Sequence, residues 1–209
     1  MKINYNIKFE EELELIGNSK PSLLLHVCCG PCSSNILKEI ANIFDITVFY
    51  SNSNIYPIDE YKRRYEELLD FIERFNNDYN HNIKIIEKKY EPENYLNQLK
   101  EYKDEKEGGK RCYKCYLMRE TDTYNYALDN NFDYWTTVLS VSPHKNSQWI
   151  NEIGLSFDQS KTKFLCSDFK KNNGYKKSVE MASRYNLYRQ TYCGCLYSYE
   201  DMLKRPNNK

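Results

Sequence analysis

"LLLHVCCGPCSSN", residues 23–35, is the stretch on which the reading of this chain turns. The apolar run Leu23–Val27 reads as a buried strand, and Ser33–Phe44 has helical spacing, with Ile36, Leu37, Ile40 and Phe44 on one face. Between them, three cysteines fall within five positions. In open parallel sheets, ligands bind beyond the carboxyl ends of the strands, so a thiol-bearing first strand-to-helix turn is placed where an active site belongs.

The rest of the chain repeats the alternation. Ile46–Tyr50 and Ile83–Ile86 read as strands, and Asp59–Phe75 between them as an amphipathic helix, with Asp59 as N-cap after Pro57. Helical spacing returns from Pro92 to about Tyr102, and after a charged, glycine-bearing loop (Glu105–Lys110) it resumes over Cys112–Asn130. Tyr134–Leu139 is a strand, Lys145–Ile153 a helix with Gly154 as its C-cap, Phe164 and Leu165 a short strand, and Gly174–Asn186 a last helix. Short apolar strands alternating with helices predict a mostly parallel sheet with helices on both faces. Residues 1–20 are polar with a short acidic helix-like patch and read as a surface extension; 21–209 read as one domain, because no Pro/Gly/Ser-rich linker divides them.

Composition narrows the class. The 30 basic and 30 acidic side chains cancel, so a nucleic-acid partner has to be met by local charge. The opening MKINYNIKFEEELELIG has no apolar secretory core, and no stretch approaches the length of a membrane span. A cytoplasmic location is therefore expected, where structural disulfides are uncommon. Eight cysteines in 209 residues are about 4%, below the roughly 8–10% of disulfide scaffolds.

Seven of those eight are clustered: Cys28/Cys29/Cys32, Cys112-x-x-Cys115 and Cys193-Gly-Cys195, with Cys166 alone. Clustered thiols in a reducing compartment point to metal or redox chemistry. Cys112 and Cys115, near a helix start, have a metal-ligand spacing, and a helix N-terminus favours the thiolate. With a pair from the first turn they make four thiolates, a set that suits structural zinc or an iron–sulfur cluster. Cys193-Gly-Cys195 would close a small strained disulfide of the labile, redox-active kind, although the pair suits a metal too. A thioredoxin-like exchanger needs only one dithiol and leaves five clustered thiols without a role. Cys166, after Phe164-Leu165, reads as a small buried hydrophobe, and His26 as a packed residue of the first strand.

Taken together, these segments resemble the epoxyqueuosine reductases of the QueH type. The resemblance is carried by Leu24–Ser33 (LLHVCCGPCS), Ser51–Pro57 (SNSNIYP), Arg111–Cys115 (RCYKC) with Arg119, Thr136–Lys145 (TTVLSVSPHK), Asp168–Lys171 (DFKK), Gly174-Tyr175 and Leu187–Cys195 (LYRQTYCGC). It runs in order over nearly the whole chain. Ser51 and Ser53 stand where many members carry other residues, and Cys166 has no counterpart. The resemblance implies a fold similar to adenine-nucleotide-binding α/β domains, with the cysteine turn in place of their Ser-Gly-Gly phosphate loop, so that ATP binding is not implied.

The resemblance also implies an activity. It is the removal of the epoxide oxygen from epoxyqueuosine at the wobble position of tRNA with a GUN anticodon, the last step of queuosine formation, driven by an unidentified electron donor. Cys28, Cys29, Cys112 and Cys115 would hold a [4Fe–4S] cluster, and Cys193 and Cys195 would be the redox pair. A second, mononuclear metal such as iron would lie nearby, with Asp168 as its carboxylate or as a proton donor.

The residues suit RNA in two places. KTKFLCSDFKKNNGYKK, residues 161–177, holds six lysines against one acid, among them Lys170 and Lys171. Asn52, Asn54 and Tyr56 follow a strand, where amides and a ring can read an unstacked base. Two rival readings stand beside this one: a zinc-stabilised RNA-binding module without catalysis, and a thiol–disulfide oxidoreductase.

Overall fold

The computed structural model describes residues 3–205; positions 1–2 and 206–209, the outer ends of the two segments expected from the sequence, lie outside the described residues. Strands β1 (Ser22–His26), β2 (Asp45–Tyr50), β3 (Lys84–Glu87), β4 (Tyr134–Thr137) and β5 (Lys163–Phe164) form one sheet in the order β3-β2-β1-β4-β5. Every pairing is parallel, as expected. The order reverses beside β1, between its neighbours β2 and β4, which opens a crevice at the carboxyl end of β1. The thiol-bearing turn follows that strand directly.

Alternate residues of β1 face opposite layers. Leu23 and Leu25 join the larger core with Ile36 and Ile40 of α2 (Gly30–Ile40) and with Phe71 and Phe75 of α3 (Ile58–Tyr79). Leu24 faces the other way, into a cluster with Trp135, Phe164 and Ala127 of α5 (Lys110–Asp129). All three leucines are fully buried, and each such burial is worth about 2–3 kcal/mol. The remaining helices are α1 (Tyr5–Ile16), α4 (Pro92–Leu99), α6 (Ser147–Ser156), α7 (Gly174–Arg184) and α8 (Leu196–Leu203). Tyr5, Phe9 and Ile16 bury the inner face of α1 against the domain.

Several boundaries differ from the sequence reading, each for a local reason. Helix α2 begins at Gly30 rather than Ser33, since Pro31 in the first turn has the backbone angle a helix needs. Helix α3 is capped by Pro57, which leaves Asp59 inside the first turn, and it runs on to Tyr79, where Asn80 takes a left-handed conformation. Gly154 lies within α6, not at its end: a Cβ there would meet the Phe164 ring at 2.5 Å, so this glycine serves a close helix–strand approach. Helix α8, in the tail, lay outside the sequence reading.

Candidate active site

The first thiol group is built by the end of β1 and the start of α2. The Val27 N–H still bonds Phe49 O at 3.0 Å, while the Val27 carbonyl accepts from Asn52 Nδ2 at 2.8 Å. With the chain held there, Cys28, Cys29 and Cys32 bring their sulfurs within 4.8 Å of one another. Cys28 and Cys29 are 3.8 Å apart, and Gln190 Nε2 lies 3.3 Å from the Cys29 sulfur. Hydrogen bonding from Cys29 and Cys32, helped by the charges of Lys145 and Arg119, holds the Cys28 thiol well below its ordinary pKa. Burial and the Cys28 charge push Cys29 up to about 12.

The second group lies on one face of α5, where Cys112, Cys115, Tyr116, Arg119 and Thr123 recur at spacings of three and four. The Gly108 N–H donates to the Cys112 sulfur at 3.2 Å. Arg119 is buried and donates to Asn52 Oδ1 at 2.6 Å. Its Nε has no partner, and among the described residues no carboxylate pairs with it. Burial opposes its charge, but Cys115 and Cys28 support it. Lys145 is similar: burial works against its charge, and Cys193, Cys28 and Cys32 outweigh that cost.

The third group, Cys193-Gly194-Cys195, precedes α8, with Cys195 at its N-cap. The Tyr56 N–H donates to Gly194 O at 2.7 Å, and Tyr199 N–H to Cys195 O at 3.0 Å. Cys193 is exposed, whereas Cys195 is half-buried against Ser198, with a sulfur–oxygen distance of 3.4 Å. Burial and the neighbouring Cys193 push the Cys195 thiol up to about 11.

These groups converge. Cys32, Cys112 and Cys193 line a single cavity of about 300 Å³, together with Lys145, Tyr116 and Gln190. Front, middle and end of the chain thus contribute sulfur to one chamber at the carboxyl end of the sheet. Its donor set fits an anionic, thiolate-held metal group: the Cys28, Cys29 and Cys32 sulfurs face one another, and among the described residues neither Arg119 nor Lys145 forms a salt bridge, although Glu107 also lines the cavity. An anionic centre held by these thiols would add counter-charge beside them.

The other residues singled out in the sequence are placed differently. Asn52 is 1% exposed and spends both ends of its amide on Val27 and Arg119, so it faces the chain rather than solvent. Asn54 is buried with its Oδ1 unpartnered, while the Tyr56 ring is exposed and packs edge-on to Tyr199 at 5.5 Å. Asp168 pairs with Lys170 at 2.8 Å; with Lys171 they line a neighbouring cavity that shares only Lys145 with the thiol chamber.

Much of the lysine-rich stretch is neutralised inside the chain. Lys163 pairs with Glu12, Lys170 with Asp168, Lys176 with Glu180 and Lys177 with Glu39. His26 is fully buried, with Nδ1 2.7 Å from Thr137 Oγ1 and Nε2 3.3 Å from Ser51 O. Burial, then the Arg119 charge, pulls its pKa down to about 3, so it packs as a neutral ring. Cys166 lies in the apolar cluster around Trp135.

Sequence reading gave Cys32 and Lys145 no role and passed over Arg64. A signal for Arg64 existed: it interrupts the buried stripe Tyr61, Leu68, Phe71, Phe75 of α3, where a charge needs a reason to be.

Comparison with known proteins agrees with this geometry. A family model described as "Epoxyqueuosine reductase QueH" matches residues 23–201. Proteins of that name from Streptococcus pyogenes and Staphylococcus aureus are 43% and 40% identical over 200 and 205 residues, covering 94% of this chain in both cases and 78% and 84% of theirs. The Staphylococcus epidermidis protein is 40% identical over 203 residues, 94% of this chain and 85% of its own. The matched span takes in all three thiol groups that meet in the chamber, and the chain belongs to the QueH family of epoxyqueuosine reductases.

Proposed function

We propose that this protein is a tRNA epoxyqueuosine reductase that removes the epoxide oxygen of the modified wobble nucleoside in a GUN anticodon. The observation that carries this reading is the shared chamber of Cys32, Cys112 and Cys193, with Lys145 and Arg189 among its lining residues. Opening an epoxide to an alkene takes two electrons and two protons and releases the oxygen as water. The pair Cys193 and Cys195 balances that reaction: two thiols become one disulfide and give up two electrons and two protons. An electron donor outside the chain then returns the disulfide to the dithiol.

Cys28, Cys29, Cys112 and Cys115 would hold a [4Fe–4S] cluster, which when bound supplies single electrons at a potential tuned by its surroundings. A mononuclear ion such as iron beside Cys193 and Cys195 would find Cys32 and Cys112 on the same wall. The chain's own groups have separate tasks. Lys145 places a positive charge on the chamber wall, where it favours negative charge growing on the departing oxygen. Arg119 keeps a buried positive charge behind Cys115 and Cys28. A chamber of about 300 Å³ has room for one extruded nucleobase and not for a duplex. Arg189, whose Nη2 lies 3.2 Å from the Tyr175 hydroxyl, stands at its rim for phosphate, and the exposed Tyr56 ring is available for stacking. Asp168 would act at one remove, across the wall formed by Lys145.

Anaerobic purification and reconstitution with iron and sulfide test the cofactor, and mass spectrometry of wobble nucleosides from cells lacking the protein tests the reaction. Epoxyqueuosine should accumulate at the expense of queuosine; an unchanged nucleoside profile rejects the proposal. One observation favours a second reading. Tetrahedral zinc, with Zn–S bonds of about 2.3 Å, sets its sulfurs about 3.8 Å apart, and Cys28 and Cys29 have that separation. A zinc-stabilised RNA-binding module would hold one zinc per chain and no iron after anaerobic isolation.

A further inference from the structure

Arg64, on α3, reaches from the core to the Cys193-Gly194-Cys195 turn. It is 1% exposed, and its Nε and Nη2 both lie 2.7 Å from Glu60 Oε1. Glu60 is in turn held by the Tyr188 hydroxyl at 3.2 Å. The free edge of the guanidinium faces the turn: Nη1 lies 3.5 Å from the Cys193 carbonyl, and the Tyr192 ring is 5.5 Å from Cζ. Gly194 has a φ of +120°, and a Cβ there would come within 2.9 Å of Nη1. The turn therefore rests its backbone on the guanidinium, and only glycine permits both the angle and the approach.

In this seat the two sulfurs are separated. Cys193 looks into the chamber, and Cys195 turns inward against Ser198. A disulfide needs the sulfurs about 2.05 Å apart, and here both cysteines are free thiols. We propose that Arg64 is a positioning residue that holds Cys193 and Cys195 open as a dithiol, the form that can give up electrons. The purpose of this device rests on the function proposed above, but its existence is measured without tRNA, so either idea can fail alone.

The test is the closure equilibrium of the pair in the full chain. In mixtures of reduced and oxidised glutathione, closure converts two thiols to one disulfide, and the two electrons and two protons reduce one glutathione disulfide to two glutathiones. After acid quenching and alkylation, the tryptic peptide Gln190–Lys204 carries Cys193 and Cys195 and no other cysteine. Arg64→Lys keeps the charge but loses the planar fork, and Arg64→Met loses both. Both variants should close about tenfold more readily, a potential more negative by about 30 mV for two electrons.

Arg74→Met is the matched control. Arg74 lies on the same helix, pairs with Asp70 at 2.6 Å and donates to the Tyr185 carbonyl at 3.0 Å, away from the thiols. Its closure constant should stay at the wild-type value. An unchanged or smaller constant in folded Arg64→Lys overturns the proposal, as does an equal rise in the Arg74 control. If Arg64→Met does not fold, Arg64→Lys decides alone.

Discussion

Asn52 separates two ideas about the loop after β2: that its amides meet the substrate, or that they brace the thiol turn. Asn52→Ala deletes the bond from Nδ2 to Val27 O at 2.8 Å and the one from Arg119 to Oδ1 at 2.6 Å, in a site that is 1% exposed. A neutral bond contributes about 1 kcal/mol and one to a charged group about 1.5–3 kcal/mol. Together they put the loss at about 2.5–4 kcal/mol. With a urea m-value of about 2 kcal/mol/M, the unfolding midpoint of the metal-free protein should fall by about 1.3–2 M, read by far-UV circular dichroism. Asn52→Asp, which keeps an acceptor for Arg119 and loses the donor to Val27, should fall between wild type and the alanine variant. A midpoint within about 0.3 M of wild type, with KM for tRNA raised, would refute the bracing role and return Asn52 to the substrate.

Four further outcomes are expected. Cys193→Ser should retain iron and visible absorption yet lose turnover, and normal reduction by that variant would remove the dithiol from the mechanism. Cys112→Ser should lose bound iron while Cys166→Ser, altered in the apolar cluster around Trp135, should not, as iron analysis of both will establish. Gly154→Ala should cost about 1–3 kcal/mol through overpacking, because the new methyl meets the Phe164 ring at 2.5 Å; thermal melting reads this. Glu12 is bonded by Lys163 and by the Tyr134 hydroxyl. Burial works against its charge, but these partners lower its pKa from 4.5. Its stabilising effect is present above that value and is lost as pH falls toward the lowered one. Glu12→Gln should therefore flatten the acid limb of the stability profile, and an unaltered limb would show that the cluster around Glu12 is not what titrates.

What the sequence made legible was what periodicity and clustering encode. Leu23–Val27 and Ile46–Tyr50 announced parallel strands because both faces of such strands are buried, and the thiol triplet marked the crevice. Gly154 misled because a glycine near a helix end resembles a cap, and only the ring of Phe164 across the layer explains it. Asn52 and Arg119 could not be joined from sequence, since the residues between them give no hint that one amide spans β1 and α5. The lysine stretch reads as a phosphate surface, and the structure adds Glu12, Glu39, Asp168 and Glu180 beside four of its six charges. Local composition cannot display partners such as Glu12 and Glu39, which lie far away along the chain.

The seating of the Cys193 turn on Tyr56 and Arg64 has a consequence for biosynthesis. The segment through Cys195 must be made before the last sulfurs can dock on Tyr56 and Arg64, so the finished chamber has no counterpart in a shorter nascent chain. A metal group that needs every wall in place would thus load only after that last segment has folded onto the rest.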